Sequence, residues 1–415
     1  MAVTVSHITA AARKLQALRA LRHKNYRWFW MDSVAQAAGM GTQTFILGWL
    51  TLELTGSSAQ LGLVMSLNGL SSLIFMLVGG LVADRMDRRK LLISTRTGVT
   101  VLVLGLATLS VTGLIQIWHL YLVSIALGII QAVNSPTRTS MVTDLVSPED
   151  IMNAVALNQL GQNAGRIVGP ATAGFIIEYT GIGAALYFNA ACYAIGIVGL
   201  ALIERFGQDS SEEKSNMLRD FWQGLRYFGS TPVVYSIIVI GFFFGFFGLS
   251  YQWVMPAIAT EVLKTGAAGT GLLITAASVG SVVNGFILAS LGNFRKKNWL
   301  LLGTVLTFEV ALFMFAWSHW YLVSWILLFG MGLGSRGYIA MGTTVLQLTT
   351  PSEMQGRVMS LWIVGGSFSR LGALPLAIAG AVFGWSLAVA GGAVICLVVT
   401  LWLGVIRPPL RRVDV

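Results

Sequence analysis

Charge is scarce in this sequence. Only 11% of its 415 residues are Asp, Glu, Lys or Arg, against about 25% in soluble domains. So little charge cannot cover the surface of an aqueous domain of this length, which argues against a soluble enzyme or a cytosolic binding module. Cysteine is nearly absent too. The only two, Cys192 and Cys396, lie inside apolar runs and read as small buried hydrophobes, not as a disulfide or a metal site. The four histidines include no pair at ligand spacing, and neither a G-x-S-x-G elbow nor a P-loop lysine motif occurs. Nothing points to an enzyme, a resident metal or a nucleotide site.

What is present is apolar: 55% of the residues are hydrophobic and the mean hydropathy is +0.74. A helix crosses the bilayer with about 20 mainly apolar residues. Twelve such windows are expected, at 26–52, 59–83, 92–114, 119–143, 153–177, 182–203, 233–257, 268–291, 298–317, 320–345, 358–383 and 385–406. The joins are short, so the predicted fold is an all-α membrane protein whose helices satisfy their own backbone hydrogen bonds in lipid.

The net charge of +10 is distributed by side of the membrane and does not suggest nucleic acid. Basic residues cluster before the first window (Arg13 to Arg27), at Arg85 to Lys90, at Arg205 to Arg226, at Arg295-Lys296-Lys297 and after the last window. These are alternate joins, and only Lys264 falls in a join of the other set. The positive-inside rule then puts both termini in the cytoplasm. The expected organisation is a basic amphipathic leader over 1–25, a six-helix bundle over 26–203, a polar linker over 204–231, a second bundle over 232–406 and a tail over 407–415. Gln208-Asp209-Ser210-Ser211-Glu212-Glu213-Lys214 gives the linker its flexible composition, and Phe221 to Phe228 predicts a short amphipathic helix entering the second bundle.

The halves repeat one another. Trp118-His119-Leu120-Tyr121-Leu122-Val123-Ser124 returns as Ser318-His319-Trp320-Tyr321-Leu322-Val323-Ser324, and Ser147-Pro148-Glu149-Asp150 returns as Thr350-Pro351-Ser352-Glu353. Glu53-Leu54-Thr55-Gly56 is echoed near Glu261, and Arg88-Arg89-Lys90 by Arg295-Lys296-Lys297. Four echoes in one order imply two parallel six-helix repeats, an arrangement that places a ligand site near the midplane between them.

Gly80-Leu81-Val82-Ala83-Asp84-Arg85-Met86-Asp87-Arg88-Arg89-Lys90 resembles the G-x-x-x-D-R-x-G-R-R signature between the second and third helices of major facilitator superfamily transporters. Asp87 replaces the family's second glycine. In the fifth window Gly161, Gly165, Gly169, Pro170 and Gly174 resemble the G-x-x-x-G-P-x-x-x-G stretch of exporters in that superfamily, without its terminal double glycine. Small residues there allow close packing and the proline bends the helix. Leu52 to Ser57, Pro136-Thr137-Arg138 and Gly356-Arg357-Val358-Met359 are similar to the drug- and siderophore-exporter branch, which includes macrolide-efflux and enterobactin-exporter proteins. The resemblance implies a secondary transporter, driven by a proton gradient, that exports a small amphipathic compound. An uptake permease for a small organic anion and a lysophospholipid flippase are the alternatives. It also implies a latch of Gly80, Asp84, Arg85 and Arg88, with Asp84 meeting the helix end near Gly356 and Arg88 meeting Asp144.

Charged residues inside apolar windows cost about 2.5–3.5 kcal/mol each on insertion scales and normally face a cavity or a partner. Asp32, Arg138, Arg166, Arg336, Arg370 and Glu309 are such residues. In the family's arrangement all but Glu309 reach the central path, and Glu309 is left a structural or oligomeric role. Asp32 is the expected proton carrier, or else a fixed partner of Arg138. Arg166 and Arg370 occupy corresponding places in the two repeats, 18 and 19 residues after Pro148 and Pro351. Asn163, Gln36 and Gln43 are candidate hydrogen-bonding groups for a ligand. The expected partners are a small-molecule substrate and the lipid bilayer, with the chain itself monomeric.

Overall fold

The computed structural model describes residues 19–204, 217–291 and 296–406, with the side chains of Leu77, Leu81, Asp84 and 217–222 excepted. Every regular element among these residues is helical. The first half holds α1 (Lys24–Thr55), α2 (Ser58–Arg85), α3 (Arg88–Val111), α4 (Ile117–Asp144), α5 (Ile151–Thr180) and α6 (Ile182–Ala201). An amphipathic α7 (Met217–Ser230) leads into α8 (Pro232–Phe243) and α9 (Met255–Glu261). The second half continues with α10 (Ala267–Leu291), α11 (Lys297–Ala316), α12 (Tyr321–Thr349), α13 (Ser352–Leu371), α14 (Ala373–Phe383) and α15 (Trp385–Thr400). Among the described residues ten helices, counting α8 with its continuation and α13 with α14 as single spans, are long and apolar enough to cross a membrane. α1 and α5 are 32 and 30 residues long but carry more polar side chains, because both are packed inside the first half and against the second.

Short joins end these helices by local chemistry. Gly56 terminates α1 in the left-handed conformation at φ +59°, which costs glycine nothing. Ser57 and Asp87 cap α2 and α3, accepting the Gln60 and Lys90 amides at 3.4 and 2.9 Å. Asp87 thus serves as an N-cap where the family pattern has glycine. Arg89 donates to the carbonyls of Leu200 and Ala201 at 3.0 and 2.7 Å, closing the C-terminal end of α6.

Within the first half α1 packs on α5 and α6, α2 on α4, and α3 on α6; the second half pairs α10 with α12 and α11 with α12 and α15. The halves meet along two seams, α5 with α10 and α2 with α13 and α14. Glycines make the seams close. A Cβ on Gly174 would stand 2.4 Å from the Ala267 carbonyl, and one on Gly62 2.7 Å from the Ala377 side chain. All described hydrogen bonds between the halves lie between the end carrying the 56–57 and 262–266 joins and mid-depth. Toward the other end Gly356, Gly365 and Gly366 have open space where a Cβ would sit. Among the described residues the halves are joined at one end and parted at the other.

Candidate functional site

A cavity of about 450 Å³ lies between the halves at mid-depth. Arg166 on α5, Arg336 on α12 and Arg370 on α13 all line it, with Asn163, and no carboxylate is among its lining residues. Each arginine arrives by a helix whose apolar side is fixed elsewhere. Gly161, Gly165 and Gly169 press α5 onto α1, where a Cβ would come within 2.8 Å of Val34, Ala37 or Ala38 atoms, and the flank of α5 beside this stripe carries Arg166 to the cavity. Gly332, Gly334 and Gly337 do the same for α12, packing on α10 and α11 and leaving Arg336 free to face inward. The Arg370 guanidinium lies 4.4 Å from the ring centre of Trp253, a cation–π contact that holds it without neutralising it.

Prolines shape the same walls. α5 runs as one helix through Pro170, but proline has no amide hydrogen, so the Arg166 carbonyl loses its helix partner. Ser278 of α10 donates to that carbonyl at 3.4 Å and Thr275 to the Ile167 carbonyl at 3.0 Å. Across the pseudo-twofold Pro375 releases the Leu371 carbonyl, and Ser66 of α2 reaches it at 3.3 Å and the Arg370 carbonyl at 3.0 Å. Gly174, the last glycine of that motif, faces the second half and not α1.

Asp32 and Arg138 do not line this cavity. Asp32 is fully buried within the first half, its Oδ1 3.1 Å from Arg96 Nε and its Oδ2 paired with Arg138 Nη1. Arg138 also donates to Ser33 Oγ and lies 4.9 Å from the centre of the Phe29 ring. The structure therefore sorts the expected residues into two groups: Asn163, Arg166, Arg336 and Arg370 at the cavity, and Asp32 with Arg138 behind its wall. Arg96 completes the second group and was missed by the sequence reading. Its signal was the same as for the others, an arginine inside an apolar window, but Thr95-Arg96-Thr97 stands so near the expected start of that window that it resembles an interfacial turn. Glu309 is buried against α15, accepting from Thr400 Oγ1 at 2.6 Å.

At the parted end Arg88 Nη1 lies 2.6 Å from Asp144 Oδ2. Gly80 is partly covered and Arg85 exposed, while the side chain of Asp84 lies outside the described residues. Beside them Asp150 takes His23 and Arg19 at 2.9 Å each. The hydrogen bond from His23, with the Arg19 charge, holds the Asp150 carboxyl below its ordinary range in spite of partial burial.

Two helical repeats around a cationic midplane cavity define a polytopic transporter. The transmembrane secretion effector family of the major facilitator superfamily matches residues 15–413, and the chain belongs to that family. It is similar to the enterobactin exporter EntS of Shigella boydii and of Escherichia coli O81, in each case 24% identical over 311 residues that cover 74% of both chains. Its fold is similar to the nucleoside transporter NupG (TM-score 0.68, 11% identity, 91% of this chain and 98% of that one). It is also similar to an inward-facing, unoccupied bacterial homolog of the human lysosomal transporter Spinster (TM-score 0.69, 16% identity, 93% and 95%), and to a POT family transporter in complex with 5-aminolevulinic acid (TM-score 0.72, 12% identity, 94% and 97%). The family and these relatives are transporters, and the chain is a multi-pass membrane transporter, not an enzyme.

Proposed function

We propose that the chain exports an anionic or catechol-like amphipathic compound across a bacterial inner membrane in exchange for protons. The observation that carries this reading is the cavity between the halves, which three arginines line and no carboxylate does. A low-dielectric cavity focuses such a field and concentrates ligands of opposite sign, and guanidinium groups bind oxyanions in bidentate fashion and stack on rings. Trp253, Phe45 and Tyr251 supply apolar wall. The similarity to a siderophore exporter is consistent with this chemistry and with the outward direction.

In this reading α1 and α5 bring the count to twelve spans in two rocking bundles, 26–203 and 232–406. Both termini, the 1–25 leader and the 204–231 tether lie in the cytoplasm, and the monomer is the working unit. The parted end is the cytoplasmic one. Asp32 carries the coupling proton: protonating it removes the carboxylate charge that Arg96 and Arg138 share, so proton uptake and rearrangement of the first half occur together. Asp84 latches onto the helix end near Gly356 when the halves close over the substrate, while Arg88 and Asp144 stay paired.

Transport by the full chain in proteoliposomes with an imposed pH gradient tests this. The expected result is gradient-driven export of an acidic amphipath, lost in Arg166→Ala or Arg370→Ala. Preference for cationic dyes, unchanged by those substitutions, would overturn the substrate class. Accumulation in the opposite direction would favour an anion uptake permease. Asp84→Asn is expected to abolish turnover while leaving expression and ligand affinity intact.

A further inference from the structure

A second, smaller cavity of about 60 Å³ lies among α1, α2, α3, α4 and α6, with Trp253 and Arg370 of the second half closing one side. Three polar groups on its wall have no hydrogen-bond partner: Gln43 Nε2, Arg96 Nη2 and Ser124 Oγ. Their residues are only 9%, 1% and 1% exposed. Their neighbours leave them in this state. Gln43 Oε1 accepts from the Tyr193 hydroxyl at 2.6 Å, which commits the amide oxygen and leaves the amide hydrogens unused. Arg96 uses Nε on Asp32. Buried polar groups are almost always paired, so three unpaired ones around a single void point to a missing occupant.

Charge says which occupant. Asp32 faces both Arg96 and Arg138, so this buried cluster carries one positive charge more than it offsets. The other contacts of the two arginines, Ser33, Phe29 and Tyr193, are neutral. No acid lines the chamber, and at its boundary with the transport cavity stand Trp253 and a further cation, Arg370. All three unpaired groups can donate a hydrogen bond. Water would meet the hydrogen bonds and leave the charge.

We propose that this chamber binds a small monovalent anion of chloride size, held by Arg96, Gln43 and Ser124, whose charge balances the Asp32–Arg96–Arg138 cluster. A water needs roughly 10–15 Å³ of such space, so the chamber admits a monatomic anion with a few waters and excludes an organic substrate. The site adjoins the cavity assigned to the transported compound, with Met40, Thr44, Trp253 and Arg370 on the shared wall, but its ligand is a different one, whatever that compound proves to be.

Thermal unfolding of the purified full chain in detergent tests it, with sodium gluconate replaced stepwise by sodium chloride or bromide at constant ionic strength and pH. A ligand that binds only the folded state raises the midpoint saturably. The expected result is a saturable rise in halide over gluconate, with half-saturation moved by about tenfold or more in Gln43→Leu and in Ser124→Ala. Either variant counts only if its elution profile and its midpoint in gluconate match the parent, and two are used so that one failing to fold leaves the other. Identical midpoints in gluconate and halide would overturn the proposal, as would a rise that both variants retain in full. In crystals grown in bromide, an anomalous peak beside Arg96 Nη2 is expected; water alone in the chamber would refute the site.

Discussion

Asp32 is the side chain on which the first half converges. Its carboxylate is enclosed by α3 and α4 through two arginines and by α6 through Gly196, where a Cβ would stand 2.7 Å from Asp32 Oδ1. Gly196→Ala therefore forces the carboxylate off its partners, at a cost of about 1–3 kcal/mol from overpacking alone. A drop of several degrees in the unfolding midpoint is expected, and an unchanged midpoint would show that the cluster yields easily. Asp32→Asn is expected to keep substrate exchange between equal pools but to lose accumulation driven by a pH gradient. If pH-driven accumulation survives, another group carries the proton. Sequence alone exposes Asp32 and Arg138 as intramembrane charges, but it cannot show that they turn away from the substrate path, because that depends on which face of α1 the glycines of α5 occupy. In the join between α4 and α5, Asp150 has a depressed folded pKa, so its contribution is present above the ordinary carboxylate value near 4 and is lost as pH falls through the lower folded value. The gap in midpoint between the parent and Asp150→Asn should accordingly close as pH falls below about 4.

At the scale of the element, hydropathy finds most helices to within a few residues, because a lipid-facing helix must be apolar along its length. It loses accuracy where a helix end is polar. α13 begins at Ser352, ahead of the expected 358, since Ser352 to Arg357 is a hydrophilic first turn in front of the apolar stretch. It also cannot see irregularity. The window at 233–257 holds α8, a π turn over Phe244–Gly248 and a tighter 3-10 turn over Leu249–Trp253. Nor do the prolines reveal where their freed carbonyls go, since Ser66 and Ser278 sit on the opposing half and more than a hundred residues away in sequence, as does Thr275, which takes the neighbouring Ile167 carbonyl. Each of these hydroxyls is expected to contribute about 0.5–1.5 kcal/mol to the seam it bridges. Ser66→Ala and Thr275→Ala test this. Together they should lower the midpoint by the sum of their separate effects, since the two seams share no partner. Strong non-additivity would show that the two seams move as one.

For the whole molecule, four short echoes imply the repeat, and Arg166 and Arg370, 18 and 19 residues after Pro148 and Pro351, both line the one cavity. Which end of the molecule is shut was not legible, because it rests on contacts between halves that composition does not encode. Those contacts use the helix ends in a matched way. Glu178, near the end of α5, accepts the Ala268 amide at 2.8 Å at the start of α10. On the other seam Glu261, at the end of α9, accepts from Ser58 at the start of α2 at 2.5 Å and from Trp385 Nε1 at 2.8 Å. A carboxylate at a helix N-terminus satisfies a free amide and meets the positive end of the dipole, a contribution of about 0.3–1 kcal/mol where exposed. Glu178→Ala should therefore weaken the closed end and shift the population toward opening there by up to roughly fivefold. The distance between spin labels at Thr180 and Lys264 reads this directly. A longer-distance component that grows in Glu178→Ala, and grows further when Ser58→Ala is added, is the expected result. An unchanged distribution in the double variant would mean that glycine-mediated packing alone holds this end shut.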